Sequence, residues 1–350
     1  MPFDYNNEGP RVLVTGAGGP AGLAVMKSLN AAGMTIYAAD IDPYAAGLYH
    51  VPEQRRVLLP PGARADFVES VLAVCLRARI AVVVPTVDAE LLPLAAARGS
   101  FERAGVKLVM ASEATLDVCL DKWALYWQCA GSVRVPDTVL VDAEFDVNGP
   151  ALPAIVKPRS GSGSRGVRIV ESRSDLEQLP RDETLIVQEY LPGPEYSLDV
   201  LATAAGRVIA VVPRSRLKVD SGIAVTGRTL HDPRLEKIGR EVAELIGLTS
   251  VANVQVKEDS DGAPALLEVN PRFPGSMPLT MASGVDMPAL AVAEALGAPA
   301  LRGPLAFADK AMVRHLDERF FDPAELSRLE DAAAQDEAVR TAELPLEVAA

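Results

Sequence analysis

The chain has 350 residues, with 34 lysines and arginines against 47 aspartates and glutamates, a formal net charge of -13 at pH 7. An acid surplus of that size argues against unspecific binding to nucleic acid or to an anionic membrane surface, while leaving room for a local basic cluster that holds an anionic substrate. At 49% hydrophobic and 23% charged, and too long for one small core, the chain reads as globular with two or three subdomains.

Cys75, Cys119 and Cys129 are odd in number and form no CxxC pair. They argue against a disulfide framework or structural zinc and fit a reducing cytoplasm. With three histidines in the chain, a catalytic thiolate has few candidate bases. The opening "MPFDYNNEGP" is polar and acidic, unlike a secretory signal, and no apolar run approaches the ~20 residues that span a bilayer. The expectation is a cytoplasmic protein with no membrane partner.

The first third alternates strand and helix. "RVLVTG" is a predicted strand, "PAGLAVMKSLNAAG" a helix, "TIYAADID" a strand, "ADFVESVLAVCLRAR" a helix, "IAVVVPT" a buried strand, "AELLPLAAARGSFERAG" helical and "VKLVMA" a strand. Such alternation predicts a parallel sheet with helices on both faces, over residues 1–112. Within it, Gly16-x-Gly18 with Asp40 downstream mimics a dinucleotide fingerprint, but the third glycine falls at Ala21 or Gly22 and the match is imperfect. Three readings stand: an NAD site, a substrate contact through Gly18 and Gly19, or a tight turn that only packs the sheet. "VVPTVDAELL" places Asp88 and Glu90 at the end of a strand, where such sheets hold ligands. They are candidates to meet an amine; capping the following helix is the plainer role.

"ATLDVCLDKWALYWQCAG" reads as one helix, with Leu116, Leu120, Trp123 and Trp127 as its core stripe. A second glycine-rich stretch follows, "AIVKPRSGSGSRGVRIV". A strand ends at Lys157, and a loop carrying Ser160, Gly161, Gly163, Ser164 and Gly166 leads into another strand. A Walker loop would be followed by a helix, so this is a different device. Its glycines let backbone amides approach phosphate oxygens, and Lys157 supplies a point charge.

In "LIVQEYLPGPEYSLDV" a strand ends at Glu189-Tyr190-Leu191 and a proline turn leads to Glu195. A connector of this kind can hydrogen-bond an adenine edge, and Glu195 can accept from ribose hydroxyls. In "NVQVKEDSDGAPALLEVNPRFPGS", Glu268 and Asn270 are two apart on a strand and share a face, and Gln255 on the paired strand is placed to join them. Hard oxygen ligands converging this way suit Mg²⁺ held mainly by nucleotide phosphates, and Arg272 suits an anion beside it. "KAMVRHL" is a further predicted strand, and the acidic, alanine-rich end of the chain is expected to fray.

Taken together, Lys122, Lys157, the glycine loop, Glu189-Tyr190-Leu191, Glu195, Gln255 and Glu268-Val269-Asn270-Pro271-Arg272 stand in an order that resembles the ATP-grasp superfamily. The resemblance covers roughly residues 111–272. "NVQ…EVNPR" is most similar to the large chain of carbamoyl-phosphate synthase and to single-module carboxylate–amine ligases. The resemblance implies phosphate contacts from Lys122 and Lys157, closure of the loop from Ser160 to Gly166, adenine held by Glu189, Tyr190 and Leu191, ribose by Glu195, and Mg²⁺ on Gln255, Glu268 and Asn270. It also implies Arg272 at the phosphoryl-transfer centre and, from "PRSRLKVDSGIAVTG", Arg214 on substrate or phosphate. The chain departs from the synthase in having one such module and no histidine near Ala224.

The expected fold is α/β, becoming α+β in the C-terminal part: an ATP-grasp fold behind a Rossmann-like parallel-sheet domain. The expected divisions are 1–112, a lid over 113–190, a metal-bearing subdomain over 191–320 and an acidic tail over 321–350. The expected activity is ATP-dependent carboxylate–amine ligation through an acyl phosphate, with Mg²⁺ or Mn²⁺, small-molecule partners, no nucleic acid, and self-association left open. The alternatives are a bicarbonate-activating enzyme and an ATP-binding module without turnover.

Overall fold

A computed structural model describes residues 8–161, 163, 165–299 and 301–342. The first domain holds strands β1 (Arg11–Val14), β2 (Thr35–Asp40), β3 (Arg56–Leu58), β4 (Val82–Val84) and β5 (Lys107–Leu108), and helices α1 (Pro20–Ala31), α2 (Phe67–Ala78), α3 (Asp88–Ala96) and α4 (Arg98–Arg103). The strands form one sheet in the order β3-β2-β1-β4-β5, with every pairing parallel. Val12, Leu13 and Val14 register against Val82, Val83 and Val84, and all six are fully buried. Continuous apolar runs of this kind are what a sheet covered on both faces requires. Pro20, in the first turn of α1, has the helical φ built in, and Gly19 precedes it as the cap.

The expected single helix over 114–131 is two: α5 (Glu113–Leu120) and α6 (Lys122–Cys129). Asp121 breaks them. Its backbone is extended, its carboxylate accepts from the amides of Trp123 and Ala124, and Arg159 pairs with it at 2.8 Å. Leu116 is buried as expected, but Trp127 is 62% exposed, because the break turns α6 away from the stripe that α5 defines. Leu116, Cys119, Leu125 and Cys129 enter the same core as Val254 and Leu266 of the C-terminal sheet.

Strands β6 (Thr138–Leu140), β7 (Ala154–Pro158), β8 (Arg168–Val170) and β9 (Leu185–Glu189), with α7 (Arg173–Glu177), make a small antiparallel sheet in the order β6-β9-β7-β8. It has a core of its own, built on Val141, Phe145, Val156, Leu176 and Val187. The larger antiparallel sheet has the order β11-β10-β14-β15 and uses β10 (Glu195–Ala202), β11 (Val208–Ser215), β14 (Val251–Glu258) and β15 (Pro264–Asn270). Helix α8 (Pro233–Leu245) lies on it. A methyl group at Gly239 would stand 2.7 Å from Val211, so glycine there lets helix and sheet close up. Strands β12 (Lys218–Asp220), β13 (Ile223–Arg228) and β16 (Ala311–Val313) form a third sheet, with α9 (Met277–Ala282) and α10 (Met287–Ala295) between.

The end of the chain departs from expectation. Residues Pro323–Ala342 form helix α11 rather than a fraying tail. It docks on the first domain: Arg56 pairs with Glu325 at 2.5 Å, Arg328 pairs with Glu53, and Phe321 stacks on Tyr49 with ring centroids 4.2 Å apart. Among the described residues no helix is long and apolar enough to cross a membrane.

Strand order reverses between β1 and β4, and at such a switch point a crevice opens beyond the carboxyl ends of the strands. Thr15 and Glu90 meet there: the Thr15 hydroxyl donates to a Glu90 carboxylate oxygen, and the Thr86 hydroxyl donates to the Thr15 carbonyl at 2.8 Å. Glu90 is 5% exposed, and burial pushes its carboxyl up to about 7; Asp40 and Asp88 add to the rise, while Thr15 and the Val87 amide oppose it.

The native state therefore keeps a proton that the unfolded chain releases above about pH 4.5. Stability falls as pH rises through the window from 4.5 to 7 and is flat beyond it. Glu90→Gln, neutral throughout, is expected to be more stable than the parent by about 3 kcal/mol at pH 8 and by almost nothing at pH 4. Urea titrations at the two pH values check this, and an equal change at both would sink it.

Candidate active site

A cleft of about 890 Å³ lies where the first domain, the small sheet and the large sheet converge. Its walls carry Lys122, Lys157, Arg165, Arg214, Arg216, Lys257 and Arg272 against Asp40, Asp88, Glu90, Glu189, Glu195 and Glu268. Cations equal or exceed anions here, although acids dominate the chain as a whole. The cleft is close to charge balance, in contrast to the acid surplus of the whole chain.

The glycine loop hangs between two anchors. Gly161, Gly163 and Gly166 have φ of +118°, +72° and +74°, a region that suits glycine. Ser160 bridges to Asp121, the Lys122 amide donates to the Arg159 carbonyl at 3.0 Å, and Lys122 Nζ donates to the Gly161 carbonyl at 2.8 Å. The helix break at Asp121 thus brings Lys122 to the loop. Ser164 lies outside the described residues. On the other side, a methyl group at Gly222, in the turn between β12 and β13, would stand 3.7 Å from the Gly163 Cα, so the two turns meet over the cleft.

Lys157, at the end of β7, is buried and donates to Gln188 Oε1 at 2.8 Å; Gln188 Nε2 in turn donates to the Thr138 hydroxyl. Burial pushes its ammonium down to about 8, with Lys122 pushing the same way and Glu268 and Glu195 opposing. At neutral pH it is still a cation, in a place where its charge is poorly screened.

At the end of β9, both carboxylate oxygens of Glu189 accept from Arg134 at 2.8 Å, and one also accepts from the Asp137 amide. As folded, that side chain is tied to the hinge. Tyr190 lies under Lys257, whose Nζ is 5.3 Å from the ring centre, and Leu191 is buried. Glu195 forms an ion pair with Arg216, Nε to Oε1 3.0 Å.

Gln255 and Glu268 are cross-strand partners, as are Asn253 and Asn270. In the amide orientation that satisfies its neighbours, Gln255 donates to Glu268 Oε1 at 2.6 Å and accepts from Arg216 Nη1 at 3.3 Å; Asn270 Nδ2 lies 3.3 Å from the same Glu268 oxygen. In this arrangement both amides turn a nitrogen towards Glu268, so the Glu268 carboxylate is the hard oxygen donor presented for Mg²⁺, and the Gln255 and Asn270 oxygens would join it only after their amides turn. Among the described residues there is no group of three histidines, cysteines or carboxylates that would hold a metal unaided.

The two arginines differ from expectation. Arg214 is 1% exposed, and its Nε and Nη2 pair with Asp199 at 2.8 and 2.6 Å. Asn253 and Thr280 donate to the same carboxylate, so Arg214 lines the cleft with its guanidinium engaged in a buried network. The residue missed by the sequence reading is Arg216, which reaches Glu195, Ser197 Oγ at 3.2 Å and the Gly222 carbonyl at 3.0 Å. The signal was the second arginine of "PRSRLKVDSG". Arg272 does reach the cleft, but its Nε and Nη2 pair with Asp88 at 2.6 and 3.0 Å. Asp88 makes no capping bond to α3; it clasps the C-terminal segment to the first domain.

The opening turn is filled by its own chain. Gly18 N donates to Asp40 Oδ2 at 2.7 Å, and methyl groups at Gly18 and Gly47 would stand 2.8 Å from the Ala45 Cβ and 2.2 Å from the Ala17 carbonyl. A methyl group at Gly22 would collide with the Gly16 carbonyl at 2.3 Å. Each glycine of the fingerprint thus has a packing reason. Gly19, by contrast, faces the cleft, while Gly18 does not line it.

Residues 12–109 match the family described as "PylC-like, N-terminal domain", and residues 181–318 the family described as "ATP-grasp in the biosynthetic pathway with Ter operon". A D-alanine–D-alanine ligase from Thermotoga sp. (strain RQ2) is 35% identical over 106 residues, 29% of this chain and 35% of that protein. One from Actinobacillus pleuropneumoniae serotype 5b is 29% identical over 196 residues, 49% of this chain and 64% of that protein. The matched regions thus span between one third and two thirds of those relatives.

Among solved structures, N5-carboxyaminoimidazole synthetase from Staphylococcus aureus, complexed with ADP, superposes with a TM-score of 0.72 at 14% identity, covering 96% of this chain and 89% of that one. L-amino acid ligase from Bacillus licheniformis gives 0.65 at 17%, covering 82% and 74%. The shared fold and the two family matches lead to one conclusion: the chain has an ATP-grasp fold, in which residues 12–109 resemble a PylC-like N-terminal domain and residues 181–318 resemble an ATP-grasp domain.

Proposed function

We propose that the protein is an ATP-dependent ligase that joins a carboxylate to an amine through an acyl phosphate, releasing ADP and phosphate. The observation that carries this reading is the clasp between Arg272 and Asp88. It joins the nucleotide half of the cleft, with Lys157 and Glu268, to the crevice of the first domain, so that both reactants have a place in one cavity. The names of the D-alanine–D-alanine and L-amino acid ligases support amino acids as the substrate class.

In this reading Lys122 and Lys157 hold phosphate oxygens, the hinge from Glu189 to Leu191 receives the base and Glu195 the ribose. Glu268, Gln255 and Asn270 hold Mg²⁺, or Mn²⁺ in its place. A metal held by these residues would supply neutralisation of phosphate charge during phosphoryl transfer. A carboxylate oxygen attacks the γ-phosphorus and ADP leaves; Arg272 and Arg216 lie close enough to the metal residues to stabilise the anion formed. The amine then attacks the acyl carbon and phosphate departs. The turns at Gly163 and Gly222, meeting overhead, exclude water that would otherwise hydrolyse the acyl phosphate.

ATP with Mg²⁺ is expected to raise the melting temperature, whereas NAD and NADP are expected to leave it unchanged, because only a ligand of the native state stabilises it. Lys157→Ala should abolish the ATP shift. Gly19→Ala should keep it, since a methyl group there meets nothing closer than the Gly16 carbonyl at 3.5 Å. An NAD shift as large as that with ATP would overturn the assignment of the two glycine turns.

Incubated with ATP, Mg²⁺ and pairs drawn from the amino acids, the protein is expected to yield ADP and phosphate. Stoichiometric AMP and pyrophosphate would exclude the acyl-phosphate route. Glu268→Gln should lower turnover at least ~100-fold while changing ATP affinity little, since the lost charge matters most in the transition state. A variant whose ATP affinity falls in step with its turnover would show that Glu268 serves ground-state binding instead.

A further inference from the structure

Glu90 has no part in the nucleotide half of the site. It stands on the wall of the cleft at the switch point of the parallel sheet, almost fully buried, in the first turn of α3. Its carboxylate is fixed rather than mobile: the hydroxyl of Thr15, itself inaccessible, donates to one oxygen. The charged groups around it are Asp40 at the end of β2, Asp88 on its own helix, and Arg272 from the segment after β15, which is paired to Asp88. Among the described residues no lysine, arginine or histidine forms an ion pair with Glu90. A carboxylate in an acidic, buried wall, open to a substrate cavity and without a cation of its own, is short of one partner, and an ammonium group supplies it.

We infer that Glu90, held in place by Thr15, receives the proton that the substrate's ammonium group must lose before its nitrogen can attack. This rests on the ligase reading above and extends it. The step balances without a further reagent. R-NH₃⁺ gives its proton to the Glu90 carboxylate, leaving R-NH₂ and a neutral carboxylic acid. The nitrogen lone pair then forms the C–N bond to the acyl carbon as the C–O bond to phosphate breaks. The phosphate takes the bonding pair, and the second nitrogen proton leaves with it. Burial raises the proton affinity of Glu90 towards neutrality, which suits an acceptor working near pH 7.

The test compares the parent with Glu90→Gln, which keeps an oxygen for Thr15, and with Thr15→Val, in amino-acid ligation and in hydroxamate formation. Hydroxylamine serves as the second nucleophile because it is uncharged at neutral pH and needs no base. Glu90→Gln is expected to lose ligation with amino acids by at least ~100-fold while hydroxamate formation stays within about threefold of the parent. The parent's amine-dependent rate should rise with pH through a limb near 7, and Glu90→Gln should lack that limb. In Thr15→Val the limb should move to higher pH, because the hydroxyl that stabilised the ionised form is gone. Equal losses with both nucleophiles, or no loss with either, overturn the proposal. If the parent releases no ADP with any amino acid in either assay, the ligase reading fails, and this inference fails with it. If the parent forms hydroxamates and ligates, but Glu90→Gln does both normally, only the role of Glu90 is refuted.

Discussion

The site depends on keeping Lys157 charged inside the protein. Moving an ammonium out of water is costly unless partners replace its hydration, and here they come from three separate stretches. Gln188 accepts its hydrogen bond from the neighbouring strand β9, Glu268 acts from the edge of the large sheet, and Glu195 from the first residue of β10. Those partners fix where the small sheet must sit over the large one. The proton affinity that burial removes is what a nearby anion would restore, so the buried lysine favours an anionic partner in the cleft.

What could be read from the sequence follows a physical rule. Signals carried by neighbours along the chain were legible: continuous valine runs for β1 and β4, the spacing of Glu268 and Asn270, the glycine loop after Lys157. Signals that depend on a partner far away were not. The stripe from Leu116 to Trp127 has ideal helical spacing, yet Asp121 is claimed by Arg159, more than thirty residues on, and the helix breaks. Arg214 and Arg216 are chemically alike, and what separates them is Asp199 on the adjacent strand, which captures the first and leaves the second to the cleft. The last helix reads as a polar tail because its main contacts are with Glu53, Arg56 and Tyr49, near the other end of the chain.

The opening turn shows how a motif can be genuine and still say little about ligand. A Gly-x-Gly turn with a downstream acid is a solution to packing a helix tightly on two parallel strands, and Asp40 already satisfies the Gly18 amide. The same arrangement accepts a dinucleotide only where the chain leaves that amide and the space above it open. Here Ala45 and Gly47 close over it. The crevice of the sheet remains available on its other side, towards Thr86 and Glu90, and that side faces the second domain.

The break at Asp121 has an optical consequence. The chain has two tryptophans, and both lie on α6, the helix that begins with Lys122. Trp123, Tyr126 and Trp127 form one aromatic cluster with ring centres 5.3 to 5.5 Å apart, half in solvent. The tryptophan emission of the protein therefore originates within about a turn and a half of Lys122 and reports nothing directly from the parallel-sheet domain. Light absorbed by tryptophan alone illuminates the helix next to the glycine loop, and the protein carries its own probe of whether that loop has moved.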